Sequence, residues 1–163
     1  MRPFLALTAA LAAATPVFAA PERQSVHRDW EVYRDASGPR TICFAVTRPE
    51  DATPKALDHG DVFMLVSNWS GGGPGVQPSF HAGYELAPFR APELSVGSRD
   101  FDSYADANEA FIEEAGEEAE LVSAMRRGSS LRVEAQSANG DFTAYEFSLM
   151  GVSAAIDQIE RQC

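Results

Sequence analysis

Residues 145–163, YEFSLMGVSAAIDQIERQC, carry two periods in succession. Tyr145, Phe147 and Leu149 are apolar at alternate positions, the signature of a strand with one buried face. Gly151 ends that pattern. Val152, Ile156, Ile159 and Cys163 then recur four, three and four residues apart, which places them on one face of a helix. Ser153 is expected to be its N-cap, because a serine hydroxyl can accept a bond from a free amide of the first turn. The chain therefore closes on a thiol on the buried side of a helix. What that thiol meets decides how the helix sits on the rest of the fold.

The one other cysteine is Cys43, in the middle of residues 41–47, TICFAVT. That run is apolar on both faces and is expected to be a central strand covered on both sides. The start of the chain indicates the compartment. Arg2, an uncharged Leu/Ala-rich run from Phe4 to Ala14, a break at Thr15-Pro16, and Val17-Phe18-Ala19 read as an export signal, residues 1–19, cut after Ala19. The run is short of the roughly 20 residues that span a bilayer, and no later stretch approaches that length. An exported chain meets an oxidising compartment, where an even cysteine count reads as a disulfide. Two free thiols, or a redox pair without a CxxC, are the alternative. A Cys43–Cys163 bridge would enclose 119 residues. The chain-entropy relation assigns a loop that long about 4–5 kcal/mol.

Upstream of the closing strand, Leu131, Val133 and Ala135 alternate with Arg132, Glu134 and Gln136, and Asn139-Gly140 signals a hairpin. A two-residue loop would set apolar positions against polar ones. A three-residue loop, Asn139-Gly140-Asp141, pairs Leu131 with Leu149, Val133 with Phe147 and Ala135 with Tyr145, and is expected. Residues 117–127 form a helix with glutamates at its start and Arg126-Arg127 in its last turn. Leu121, Val122 and Met125 make its buried stripe, and Gly128 is expected to be a left-handed stop. Further strands are expected at residues 30–33, 61–68, 80–87, 94–96 and 99–104. Residues 20–28 read as an N-terminal arm, and 48–60 and 70–79 as loops. The glycine-rich 70–79 run lacks both the P-loop ending and the dinucleotide spacing and reads as a mobile connection. The expected architecture is mainly β: an antiparallel β-sandwich with a short internal helix and a C-terminal helix tied by a disulfide, in a single domain over residues 29–163.

Several of these pieces together resemble the invasion-associated locus B family of exported bacterial proteins. They are Trp30 with its strand, Cys43-Phe44, Arg48-Pro49, His81-Ala82-Gly83-Tyr84, the segment LVSAMRRG at 121–128, FSLMG at 147–151, Ala154-Ala155 and Cys163. The likeness spans nearly all of the chain after residue 19. Val152 stands where the family usually has an aromatic, and Ala110-Phe111 where it has Ala-Trp. The resemblance implies a periplasmic or envelope-associated protein, in some bacteria linked to virulence through invasion of host cells. It brings no established catalytic residues.

Composition narrows the chemistry. The chain holds 24 acidic and 13 basic residues, for a net charge of −11 at pH 7. Nucleic acid is an unexpected partner, since phosphate binding rests on Lys and Arg; a basic partner suits the charge better. His27, His59 and His81 have no ligand spacing between them, so no metal or other cofactor is expected. His81 reads as a surface strand residue. The glutamates between Glu109 and Glu120 lack a calcium-loop pattern and read as a solvated face. No G-x-S-x-G elbow is present. The function expected is a non-catalytic envelope binding module with a protein or envelope component as its partner. Its contacts are expected from the 48–60 and 70–79 loops, with Trp69 as the anchor. The alternatives are a periplasmic enzyme inhibitor or a hydrolase. The expected location is periplasmic, with outer-membrane association open.

Overall fold

The computed structural model describes residues 20–73 and 75–163; the expected export signal, residues 1–19, lies outside the described residues. Twelve strands and two helices follow one another in the described residues. Strands β1 (Glu22–His27), β2 (Trp30–Asp35), β3 (Ile42–Thr47), β4 (Asp51–Thr53), β5 (Phe63–Trp69) and β6 (Gln77–His81) come first. Then come β7 (Glu93–Val96), β8 (Arg99–Phe101), β9 (Ser103–Asp106) and β10 (Glu109–Ile112). Helix α1 (Ala115–Arg127), β11 (Ser130–Gln136), β12 (Phe142–Ser148) and α2 (Val152–Gln162) complete the chain.

The strands form two antiparallel sheets, ordered β1-β2-β3-β5-β6-β10-β9 and β4-β12-β11-β7-β8. The expected mainly β, two-sheet architecture is thus the observed one. Trp30, Val32, Cys43, Ala45, Met64, Val66, Phe80 and Ala110 line the inner face of the larger sheet and are buried. Part of that face meets the smaller sheet: the Phe80 ring lies 5.5 Å from Tyr145 and 6.3 Å from Phe147. Helix α2 covers β2 and β3 with Val152, Ala155, Ile156 and Ile159, all buried. The Cys43–Cys163 disulfide, with its Cα atoms 5.8 Å apart, fixes the end of that helix to the central strand.

Several expectations are corrected in detail. The 20–28 arm is largely strand β1, paired along β2 from Glu22↔Arg34 to His27↔Trp30. Its sequence, ERQSVH, buries little and so shows no apolar alternation. The 48–60 loop contains β4, which adds to the edge of the smaller sheet beside β12. The single strand expected at 99–104 divides at Asp102, so that β8 belongs to the small sheet and β9 to the large one. The acidic stretch contains β10, whose Ala110 and Ile112 point into the core.

The hairpin has a three-residue loop, but over Ala138-Asn139-Gly140, and its register is Leu131↔Phe147, Val133↔Tyr145 and Ala135↔Thr143. In such loops the left-handed residue comes last. Gly140, at φ 97°, therefore has to close the loop rather than sit in its middle. The shift from the expected pairing is two residues, so every side chain keeps its face.

Helix ends differ as well. The α2 N-cap is Gly151, at φ 98°, whose carbonyl accepts from the Ala155 amide. Ser153 lies inside the helix and donates to the Arg126 carbonyl at 3.1 Å, joining α2 to the end of α1. Gly128 does not take the left-handed form, since its φ is −82°. It is needed for space: a Cβ there would lie 2.6 Å from Val96 Cγ1.

Candidate binding surface

Strand alternation gives the larger sheet a second face, and among the described residues no helix or strand covers it. Cross-strand pairing sorts its side chains into rows. Asp35, Ile42 and Trp69 form one row, and Tyr33, Phe44, Ser67 and Gln77 the next. Glu31, Val46, Leu65, Ser79, Phe111 and Tyr104 cross the sheet as a third. Phe63, His81 and Glu109 make the fourth. The Tyr33 and Phe44 rings stack at 5.3 Å, and Phe63 stacks on His81 at 4.6 Å. Most of these side chains are half-buried, shielded by one another rather than by a second layer.

The result is an open trough with an apolar floor. Its main hollow, of about 1000 Å³, is lined by Tyr33, Phe44, Val46, Phe63, Leu65 and His81. A second hollow, of about 330 Å³, continues past Ser79 and Phe111 to Trp69. Trp69 therefore sits at the end of β5 and aims along this outer face, not from the glycine-rich loop. Ile42, Phe44 and Val46 explain why residues 41–47 look doubly buried. One face of that strand meets the core and the other floors the trough.

His81 is not a free surface residue. Its side chain is 15% exposed, with Nδ1 3.3 Å from Glu109 Oε1 and Nε2 3.1 Å from Ser79 Oγ. Burial pulls its pKa below the ordinary value, with the Glu109 carboxylate opposing more weakly. A neutral ring suits both contacts: Nδ1–H donates to Glu109 and Nε2 accepts from the Ser79 hydroxyl. The order Ser79–His81–Glu109 has the sequence of roles found in acyl-transfer triads. The surroundings differ from those triads. Ser79 is buried in mid-strand, opposite Leu65 on one side and Phe111 on the other, so the amides around it belong to two ladders. No oxyanion donors converge on Ser79 among the groups described.

Electrostatically the trough is acidic. Arg23 reaches Glu31 at 3.5 Å and Arg48 reaches Asp61 at 3.0 Å. Asp29, Asp35, Glu50 and Glu109 line or border the trough without a Lys or Arg partner among the described ion pairs. Glu31 also accepts from the Tyr33 hydroxyl at 2.6 Å, which lowers the Glu31 pKa more than Arg23 does.

The other two histidines serve structure. His27 Nε2 lies 2.6 Å from Gln158 Oε1 and links β1 to α2. His59 Nδ1 lies 2.8 Å from the Tyr145 hydroxyl, which lies 3.0 Å from that of Tyr84; Tyr84 in turn reaches Thr143 at 2.5 Å. That chain ties the 54–60 segment to the core, and burial pushes the Tyr145 hydroxyl pKa up. Among the described residues no group of three metal-binding side chains forms, and no helix is long and apolar enough to cross a membrane.

No protein-family model, curated protein or solved structure matches this chain. The geometry of the trough is therefore what a functional reading rests on.

The residues that sequence reasoning missed, Phe44, Phe63, Leu65, Phe111 and Glu109, carried one usable signal. Each alternates with a core residue on a strand whose other face is already apolar.

Proposed function

We propose that this protein is an exported, non-catalytic binding module of the bacterial envelope, of the invasion-associated locus B type, and that it engages its partner through the outer face of the large sheet. The carrying observation is that, among the described residues, a seven-stranded sheet leaves a row of Val46, Leu65 and Phe111, flanked by Phe44, Phe63 and Trp69, without a covering layer. An apolar sheet face is ordinarily buried against another element, and contiguous apolar patches on a surface mark interaction sites. The disulfide supports an oxidising location. The sequence resemblance supports the envelope.

A photo-crosslinking residue at Leu65, compared with one at Glu134 on the smaller sheet, tests this reading in intact cells. A discrete crosslinked species is expected from position 65 alone, and it should be lost on Trp69→Ala while the fold is retained. Equal labelling from both positions would overturn the assignment of the surface.

A further inference from the structure

We infer that the occupant of the trough is a basic amphipathic helix presented by a partner protein; this rests on the binding-module reading and names the chemistry of the partner. Charge is the first argument. Among the described ion pairs Asp29, Asp35, Glu50 and Glu109 at the trough have no Lys or Arg partner, whereas Arg23 and Arg48 are each taken up by an acid and Arg40, beside Asp35, donates to the Gly72 carbonyl. Lys or Arg side chains on a partner would meet carboxylates already arranged around an apolar floor. A second copy of this chain is a poor occupant. Each copy carries a net charge of −11 and would bring the same acids to a self-complementary contact.

Dimensions are the second argument. The trough crosses β2, β3, β5, β6 and β10, and four gaps of about 4.8 Å give a length of roughly 19 Å. A helix of about 13 residues has that length, and its diameter of about 10 Å lies within the four rows of side chains. The opposite face of β2 and β3 is covered in the same manner by α2, through Val152, Ile156 and Ile159. Apolar residues at helical spacing would rest on Val46, Leu65 and Phe111, with basic residues flanking them toward the acids.

The experiment uses the purified protein and two 18-residue synthetic helices with the same leucine stripe, one with lysines and one with glutamates on the polar face. Binding is followed by fluorescence anisotropy at two salt concentrations. The lysine helix is expected to bind at least tenfold more tightly than the glutamate helix, and to weaken as salt rises. Asp35→Asn with Glu109→Gln should weaken it about tenfold. Glu93→Gln with Glu134→Gln, exposed acids on the smaller sheet, should leave it within twofold. Leu65→Ser should abolish it with the thermal transition retained. Equal losses in the two acid pairs would reduce the attraction to net charge and overturn the inference. If both helices bind equally and both are lost on Leu65→Ser, the binding surface stands and the basic partner falls. If neither helix binds, the inference falls, while the crosslinking comparison still decides the binding-module reading by itself.

Discussion

His81 illustrates how a single residue takes its character from its neighbours. Phe63 stacks on its face, Ser79 meets one nitrogen and Glu109 the other, and burial among them keeps the ring neutral against the pull of the Glu109 carboxylate. Its pKa lies below the ordinary 6.5, mainly through burial. In the unfolded chain the ring takes up a proton as pH falls through about 6.5; in the folded chain it does so only at lower pH. Between those two values the unfolded state binds more protons, so stability rises with pH. The His81 contribution is complete above about 6.5 and is lost as pH falls from there through the folded pKa. Urea unfolding of wild type and His81→Gln across pH 5 to 8 should show their stability difference changing in favour of the variant toward pH 5. A difference that stays constant would rule out the neutral, buried ring. Strand alternation revealed which side of the strand His81 occupies. Phe63 and Glu109 come from β5 and β10 and leave no local mark.

At the scale of elements, a pair of left-handed glycines, Gly140 and Gly151, separates strain from crowding. Gly140 closes the β11–β12 hairpin at φ 97° with nothing within 4 Å of an added Cβ. Gly151 starts α2 at φ 98°, and an added Cβ would sit 1.9 Å from the His27 carbonyl oxygen. Gly140→Ala is therefore expected to cost about 1 kcal/mol, the strain alone. Gly151→Ala should cost at least about 3 kcal/mol, because β1 or α2 must also shift. Chemical denaturation of the two variants checks the ranking, and equal costs would refute it. The α2 face of Val152, Ile156, Ile159 and Cys163 was legible because helix period is a local property. Its true N-cap was not. Ser153 is a good capping residue, but here its hydroxyl is engaged by the end of α1, 27 residues earlier.

For the molecule as a whole, the disulfide joins residues 120 apart in sequence, across nearly the whole fold. Closing so long a loop removes much freedom from the unfolded chain, and Cys43→Ala with Cys163→Ala should lower unfolding free energy by roughly 3–4 kcal/mol. Urea titrations of the variant and wild type measure this. A loss below about 1 kcal/mol would mean that the apolar face of α2 holds the helix without help. The trough also belongs to this scale. Phe111 joins Tyr33, Phe44 and Leu65 on one face only because β6 pairs with β10, skipping β7, β8 and β9. Residues 41–47 looked like a strand covered twice because composition cannot distinguish a face covered by a second layer from one shielded by its own aromatics.

By itself the sequence determined the class of the fold, the two helices, the cysteine pair and the parity of the closing hairpin. Each follows from a short-range period or from a count. Only the tertiary structure decided the hairpin register, the strand hidden in the N-terminal segment and the crossing of the 99–106 segment between sheets. It also decided which sheet face stays open. Those depend on where distant strands find their hydrogen-bond partners, and a backbone amide carries no record in the sequence of the carbonyl it will meet.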